Sequence, residues 1–372
     1  MMPWLQAVVG RETGMKRITF GFIVCVVANL ALPAGAATNA PVFLAAAQAR
    51  AAIVDETREK YFSRLQPMEM AAKTGRPLSA TTLPAQRAET RLRYKAGVRE
   101  FSAAEKSAIR WYTAAMQPKL ERAYPDLART PWRFIKVADN IEGGLPHTRG
   151  DNIILSQSRV EWLLRMKANE PEAKALFNAG TILVHELVHV HQRRKPKRYA
   201  DLYRKDWGFV KAVDIAITDW MRTYQLMNPD GTDVTWVYPV RSNGDVRWIL
   251  PLVAFSDGDG PKRMPRDMRL IAVTLRGKAG RFQVVDGGNG GDSLRALDAV
   301  PEFAGKFFGI SSIFHPNEIA ADFVGTLFAL DELFPKEQFS ARTRAATAQM
   351  FAAERRLFRR FYRESPAVGA RP

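Results

Sequence analysis

The stretch Thr181-Ile-Leu-Val-His185-Glu186-Leu-Val-His189-Val-His191-Gln192 decides how the rest of the chain is interpreted. Two histidines stand four residues apart, so at 3.6 residues per turn both imidazoles project from one face of a helix. There they can bind a single tetrahedral zinc ion through ring nitrogens. Glu186 lies about 100° further round the helix, where it can act as a general base on the metal's water. His191 points to a different face and is expected to be structural.

The flanking residues predict that this stretch lies in a long, buried helix. Pro171 can serve as a first-turn proline, and Arg193, Arg194 and Pro196 end the run. Apolar side chains recur between them at helical spacing: Leu176, Phe177, Ile182, Leu183, Leu187 and Val190. A buried helix gives the histidines few alternatives to a metal or a hydrogen-bond partner, because an unsatisfied polar group there costs about 1–3 kcal/mol.

The third ligand of a catalytic zinc is expected in His315-Pro316-Asn317-Glu318-Ile319-Ala320-Ala321-Asp322. Glu318 and Asp322 stand four residues apart at the start of a predicted helix. Their neighbours are apolar, so unpaired carboxylates would be costly there. One carboxylate can bind the metal while the other accepts a ring N–H from a ligand histidine, which fixes the tautomer of that imidazole.

Together the two stretches resemble the gluzincin clan of zinc metallopeptidases, in which a later Asn-Glu-x-x-x-Asp helix completes the HExxH site. The resemblance implies that His185, His189 and Glu318 bind Zn²⁺. It also implies that Asp322 is the hydrogen-bond partner of His185 and that Asn317 supports the metal ligands without itself binding the metal. A softer likeness covers residues 146–156, where the clan often has an edge strand that lines the cleft for substrate. The interval of 129 residues between His189 and Glu318 is longer than in the clan's short-spacing members.

The activity that this resemblance implies is peptide-bond hydrolysis by a zinc-activated water, with Glu186 as the general base. His147 and His315 are candidates for stabilising the oxyanion. His147 could instead be a loop histidine, and His315 a residue at the start of a helix. Two alternatives stay open: a zinc hydrolase acting on another envelope amide bond, and a catalytically silent zinc-binding scaffold. A scaffold has no need of the base Glu186.

The N-terminus predicts export. Lys16 and Arg17 precede an apolar run over 18–32 and a small-residue site at Ala34-Gly-Ala36, so residues 1–36 are expected to be a signal peptide. The run is short for a membrane span, and a retained anchor is the alternative. The mature protein would be periplasmic or secreted. The only cysteine, Cys25, lies in this segment, which excludes disulfides and cysteine nucleophiles from the mature chain.

The formal charge of +17 predicts partners besides a peptide or protein substrate. An anionic envelope polymer or a membrane surface would suit such a charge, and a merely solvated basic surface is the alternative. Nucleic acid is not expected as a partner, because no zinc finger, RNP motif or glycine-rich phosphate loop accompanies the charge.

The predicted fold class is α+β with a zincin-like core. We expect a helical N-terminal region over 37–130 and the metallopeptidase core over 131–335. A β-rich insertion at about 228–292 would lie between the zinc ligands and cover or wall the cleft. An amphipathic C-terminal helix is expected over 336–372, packed on the protein or docked on a membrane surface.

Local patterns predict the elements inside these regions. In the N-terminal region we expect a helix over 42–66, a connector over 67–84, and a second helix that begins at the Ser102/Glu105 capping box. Strands at 132–137 and 152–156 would form a small sheet behind the zinc helix. In the insertion we expect a helix over 203–226, a turn at 228–231, strands at 235–240, 247–255, 270–275 and 281–285, a hairpin turn at 242–245, and a flexible connector or lid hinge at 287–291.

Overall fold

The computed structural model describes residues 39–242, 245–258, 260–285, 293–334, 345, 347 and 349–363. They form a mixed α+β fold of two sheets and surrounding helices, as the sequence predicts. The predicted signal peptide and the glycine-rich 287–291 lie outside the described residues. Within the described ranges, no helix is both long enough and apolar enough to cross a membrane.

A five-stranded sheet lies behind the helix that carries the histidine pair. Its strands are β1 (Val42–Phe43), β2 (Val98–Arg99), β3 (Arg133–Val137), β4 (His147–Arg149) and β5 (Asn152–Ser156). The order across the sheet is β1-β3-β5-β4, and β2 also pairs with β3. Strands β1, β3 and β5 are parallel, whereas β4 runs antiparallel to β5 at the edge. Both predicted strands of the small sheet are therefore confirmed.

The N-terminal region contributes five helices: α1 (Ala46–Ala52), α2 (Pro67–Thr74), α3 (Leu83–Gly97), α4 (Ala103–Ala123) and α5 (Pro125–Ala128). The predicted capping box is confirmed at the start of α4. Glu105 N donates to Ser102 Oγ, and Ser102 N donates to Glu105 Oε2 at 2.8 Å. These two bonds satisfy backbone N–H groups that the first helical turn leaves free.

Two expectations for the N-terminal region are wrong. Residues 42–66 do not form one helix, because the chain starts as strand β1 in the sheet and α1 ends at Ala52. Residues 67–84 are not a connector, because Pro67 opens the buried helix α2 and Gly75 ends it with a left-handed φ of 71°. A proline at the first helical position is compatible with a helix, so the proline content of this segment did not indicate a connector.

The central helix is α7 (Glu172–Arg194), which follows α6 (Gln157–Asn169). It begins directly after Pro171, which is its N-cap, and ends at Arg194 as expected. It packs against α4, α6, β4 and β5, and its apolar residues lie in the largest core of the described chain. The histidine pair is thus carried by a helix that packs into the main core.

A seven-stranded sheet is formed by residues that lie, along the sequence, between the histidine pair and Glu318. Its strands are β6 (Val210–Lys211), β7 (Asp214–Ala216), β8 (Trp236–Ser242), β9 (Asp245–Phe255), β10 (Met268–Lys278), β11 (Arg281–Val284) and β12 (Leu294–Ala296). The order is β6-β8-β9-β10-β11-β7, with β12 paired to β10. All four predicted strands are confirmed, and Ser242 lies opposite Asp245 as the predicted hairpin requires. Residues 243–244 of that hairpin lie outside the described residues.

The helix expected over 203–226 is wrong. Helix α8 (Pro196–Lys205) ends early, and β6, β7 and the short α9 (Asp219–Tyr224) follow it. Strand β6 pairs with β8, and β7 pairs with β11. Pairing with strands that are distant in sequence has overridden the local helical pattern. The β-rich insertion therefore begins near residue 210 rather than 228.

The C-terminal part returns to helices: α10 (Pro301–Lys306), α11 (Pro316–Phe328) and α12 (Ala352–Arg363), with a π-helical turn at Ala329–Leu333. The described part of the predicted C-terminal helix packs on the protein. Phe358 and Tyr362 are buried in the main core, and Arg355 and Arg359 pair with Asp331. These contacts favour the packed alternative over membrane docking.

Candidate metal centre

His185 and His189 lie on one face of α7, as their spacing predicts. Their Nε2 atoms are 3.0 Å apart. Glu318, in the first turn of α11, faces both rings: its Oε2 lies 3.3 Å from His185 Nε2, and its Oε1 lies 3.4 Å from His189 Nε2. The fold therefore brings together the three predicted ligands, although 129 residues separate the second from the third.

A close crossing of α7 and α11 makes this possible. At Gly325 a Cβ atom would lie 2.5 Å from the carbonyl oxygen of Thr181 and 3.3 Å from the backbone nitrogen of His185. Only glycine lets the two helix backbones approach so closely, because a Cβ–backbone contact under 3.0 Å does not occur in real proteins. Gly325 thus sets the distance between the helices and, with it, the reach of Glu318 to the histidines.

Four atoms of the cluster, the two ring nitrogens and both carboxylate oxygens of Glu318, lie at separations typical of metal ligands. Bonds of about 2.0–2.1 Å at tetrahedral angles place ligand atoms about 3.3 Å apart. The two Nε2 atoms are 3.0 Å apart, and each lies 3.3 or 3.4 Å from a different oxygen of Glu318, so each separation is close to this value. Two imidazoles and one carboxylate are also a donor set typical of catalytic zinc, with one coordination position left over.

The tautomer of His189 is fixed by a partner behind it. Gln192 Nε2 donates to the backbone oxygen of Asn317 at 2.8 Å, so Gln192 Oε1 is the atom that faces His189. It lies 2.8 Å from His189 Nδ1, which must therefore carry the proton. In the neutral ring, Nε2 then presents its lone pair to Glu318 and His185. Such a group needs a positive charge at its centre, either protons or a metal ion.

The electrostatics of the cluster agree with that requirement. Burial opposes ionisation of Glu318, but His189 and a hydrogen bond from His185 outweigh it and hold the pKa of Glu318 well below its usual range. Burial likewise opposes charging of His185 and His189, yet Glu318 raises the pKa of both rings. A divalent cation can take over the role of the protons in neutralising this carboxylate.

Glu186 is buried beside the cluster, with 4% of its surface exposed. Its Oε2 has no hydrogen-bond partner among the described residues. Burial, and next the charge of Asp230, raise the pKa of Glu186 well above its usual range. A buried carboxylate oxygen without a partner is rare in proteins, and a strongly perturbed pKa is common at functional sites.

Asp322 does not have the predicted role. Its Oδ2 accepts three hydrogen bonds from the preceding loop: Ser311 N at 2.9 Å, Ser311 Oγ at 3.2 Å and Ser312 N at 2.9 Å. No hydrogen bond joins it to His185 in the described part of the chain. The loop folds back over this turn of α11, and its backbone N–H groups reach the carboxylate that the spacing had assigned to the histidine.

Asn317 has no hydrogen bond to the three predicted ligands among the described residues, and it is bonded to several of their neighbours. Its Oδ1 accepts from Tyr203 Oη at 2.9 Å, and its Nδ2 donates to the backbone oxygen of Asp230 at 2.7 Å. Its own backbone oxygen holds Gln192, the partner of His189. Asn317 therefore connects α11, α7 and the 228–231 turn.

His315 is the N-cap of α11, which was the alternative reading of this residue. Its Nδ1 accepts from Asn317 N at 3.1 Å, and its Nε2 lies 3.0 Å from the backbone oxygen of Asp233. Because a carbonyl only accepts, Nε2 is the protonated nitrogen. Both ring nitrogens are engaged, so His315 has no donor left for an oxyanion.

His147 is also unsuited to the predicted role. Its Nδ1 lies 3.1 Å from the backbone oxygen of Leu145 and must donate to it. The buried Nε2 has no partner among the described residues, and in the neutral ring it is an acceptor. Burial lowers the pKa of His147, so the ring stays neutral and cannot donate to an oxyanion. His191 is structural as expected, bonded to Tyr199 and Asp126.

The outer edge of β4 is already covered. Thr148 N donates to Asp230 Oδ1 at 2.9 Å, and Arg193 donates to the backbone oxygen of Thr148 at 3.2 Å. Glu59 in turn pairs with Arg193. The expectation that this strand offers its edge to a substrate is therefore wrong at Thr148, because its peptide groups are bonded within the protein.

Sequence reasoning missed the role of the 228–231 turn. Asn228 Nδ2 donates to Glu318 Oε1 at 2.6 Å, and the Asp230 carboxylate bonds Thr148 and Arg193. At Gly231 a Cβ atom would lie 2.6 Å from the ring of His315. Asn-Pro-Asp-Gly is a common turn sequence, so nothing local distinguishes it from an ordinary hairpin. The contact of Gln192 with His189 was also missed, although their spacing of three residues on a helix could have predicted it.

Comparison of the chain with protein-family models, with curated proteins and with solved structures found no match. The likeness to gluzincins thus rests on the residues described above, and function has to be inferred from the chemistry of the site itself.

Proposed function

We propose that this protein is a zinc-dependent peptidase in which His185, His189 and Glu318 hold the metal and Glu186 is the general base. The observation that carries the proposal is the cluster of His185, His189 and Glu318, whose facing nitrogen and oxygen atoms lie 3.0–3.4 Å apart, next to a buried carboxylate whose Oε2 has no partner among the described residues. Zinc-dependent hydrolysis needs a metal site and, next to it, a carboxylate that does not bind the metal and can act as a general base.

Each residue of the site has a distinct part in this proposal. A zinc ion bound there would polarise the scissile carbonyl and lower the pKa of a water toward about 7. Glu186, through Oε2, is the residue that would accept a proton from that water and return it to the leaving amine. Gln192 keeps His189 in the tautomer that binds metal, because its Oε1 accepts the Nδ1 proton. The side chain of His185 is 17% exposed, against 1% for His189 and 8% for Glu318, so substrate would approach from the His185 side.

Hydrolysis of another envelope amide bond is the second candidate function. The formal charge of +17 favours it, since an anionic envelope polymer would be attracted to such a protein. The same residues would serve the reaction, and only the substrate would differ. A catalytically silent zinc scaffold fits less well. Burying a carboxylate oxygen of Glu186 without a partner lowers stability, and a scaffold without turnover would gain no activity in return.

The test starts from protein spanning residues 37–372, purified without chelator. Metal analysis should give one zinc per chain, and a panel of proteins, peptides and peptidoglycan should show hydrolysis of peptide substrates. A chelator should abolish that hydrolysis, and added zinc should restore it. Absence of zinc would overturn the metal site, hydrolysis of peptidoglycan alone would favour the second candidate, and zinc without any hydrolysis would favour the scaffold.

A further inference from the structure

Asn228 is fixed in a single orientation against the metal ligand Glu318. Its Oδ1 accepts from Asp230 N at 3.1 Å, which directs Nδ2 to Glu318 Oε1 at 2.6 Å. An amide nitrogen cannot bind a metal cation in place of the carboxylate, but it can occupy one lone pair of the ligand oxygen. Asn228 thereby limits how the carboxylate can turn.

The residue before Asn228 is held by two buried ionisable side chains. Met227 N donates to Glu69 Oε2 at 2.8 Å, and Lys73 Nζ donates to Met227 O at 2.8 Å. Both side chains come from α2, one turn apart. The polar groups of residue 227 are thus bound by a carboxylate on one side and an ammonium on the other.

Lys73 also belongs to a buried hydrogen-bond network in the N-terminal region. Lys73, which is 0% exposed, also donates to Glu142 Oε2 at 2.8 Å. Glu142 accepts further hydrogen bonds from the hydroxyls of Tyr61 and Tyr94. Buried ion pairs contribute little net stability, because desolvation offsets their attraction, and their best-attested benefit is geometric specificity. Here the geometry that they define is the position of residue 227.

From this chain of contacts we infer that Asn228 is a positioning residue of the metal centre, held in place by the buried Glu69 and Lys73 of helix α2. The inference rests on the proposed function. It assigns α2, which lies more than 100 residues before the first ligand, a role in metal affinity. Asn228 acts on Glu318, and Lys73 acts only through Asn228.

The first experiment compares Asn228→Ala with the wild-type protein. Zinc affinity is measured by competition with a chelator, and the visible spectrum of the cobalt-substituted protein reports the ligand geometry. We expect zinc binding about 10–100-fold weaker and a changed cobalt spectrum, as for loss of other groups that hold a ligand. The matched control is Asn39→Ala, which also removes a hydrogen-bonded side-chain amide, but one whose Nδ2 donates to the backbone oxygens of Ala128 and Thr130.

Unchanged zinc affinity and an unchanged cobalt spectrum in folded Asn228→Ala would overturn the inference while leaving the peptidase proposal intact. A wild-type protein that binds no zinc would overturn the proposed metal site, and the inference with it. Zinc binding without hydrolysis would remove the peptidase but not the positioning role.

The second experiment tests the route from α2. Lys73→Met keeps the length of the side chain and removes its charge, and circular dichroism shows whether the variant is folded. If Lys73 acts through Asn228, the double variant Lys73→Met/Asn228→Ala should bind zinc no more weakly than Asn228→Ala alone. Additive losses would refute that route. Should Lys73→Met not fold, Glu69→Gln takes its place in the same cycle, since one oxygen acceptor remains for the backbone.

Discussion

Replacing Glu186 by glutamine separates its proposed role from that of Glu318, the other buried glutamate of the site. The change keeps the size of the side chain, leaves the three metal ligands intact and breaks no hydrogen bond at Oε2, which has none among the described residues. Zinc content should therefore stay at one per chain. Turnover should fall by about 10²–10⁴, the contribution of a general base. This factor equals about 2.7–5.4 kcal/mol of transition-state stabilisation.

The structure also predicts a rise in stability for Glu186→Gln in metal-free protein. Burial and Asp230 hold the pKa of this carboxyl well above its value in the unfolded chain, so at neutral pH the ionised form is disfavoured on folding. A neutral amide removes that cost, and the melting temperature should stay level or increase. Such a gain in stability with a loss of activity is typical of catalytic groups.

The assay measures zinc content, hydrolysis rate and melting temperature side by side. Glu172→Gln, an exposed acid in the first turn of the same helix, is the matched control and should change none of them. Glu318→Gln should lose both zinc and activity, because it removes an anionic ligand. The assigned roles would be refuted if Glu186→Gln stripped the zinc while Glu318→Gln kept it, or if Glu186→Gln hydrolysed substrate at the wild-type rate.

Four further predictions follow from other contacts. Gly325→Ala would bring a methyl group against the carbonyl oxygen of Thr181 and should force the two helices apart. We expect the free energy of unfolding to fall by about 1–3 kcal/mol through overpacking, and the zinc content to fall as well, as measured by a thermal melt and by metal analysis. Asp322→Asn should reduce the free energy of unfolding by about 1–3 kcal/mol through the loop that it holds, with zinc affinity unchanged by chelator competition. Burial lowers the pKa of His147, so its contribution to the free energy of unfolding should be present above pH 6.5 and be lost as the pH falls below that value. His147→Asn keeps a donor for the backbone oxygen of Leu145, so in denaturant titrations from pH 7 to 5 its free energy of unfolding should fall less steeply than that of the wild type. Export predicts that N-terminal sequencing of protein from the native host finds residues 1–36 absent, and a chain that starts at Met1 or Met15 would contradict it.

The sequence alone determined the features that depend on local geometry. The shared face of His185 and His189 follows from the helical repeat, the start of α4 from the Ser102/Glu105 capping box, and four of the seven strands of the second sheet from their local patterns. Glu318 could be proposed as a partner because acids amid apolar residues need a reason to be buried.

Only the tertiary structure decided which side chains meet across long stretches of chain. The approach of Glu318 depends on Gly325 fitting against α7, and its hydrogen bond from Asn228 depends on a turn placed by buried charges of α2. Asp322 accepts hydrogen bonds from the loop at Ser311 and Ser312, a contact that spacing along a helix cannot reveal. The physical reason is common to these cases: backbone periodicity acts over one or two turns, whereas hydrogen-bond partners and close helix contacts are selected by packing of the whole chain.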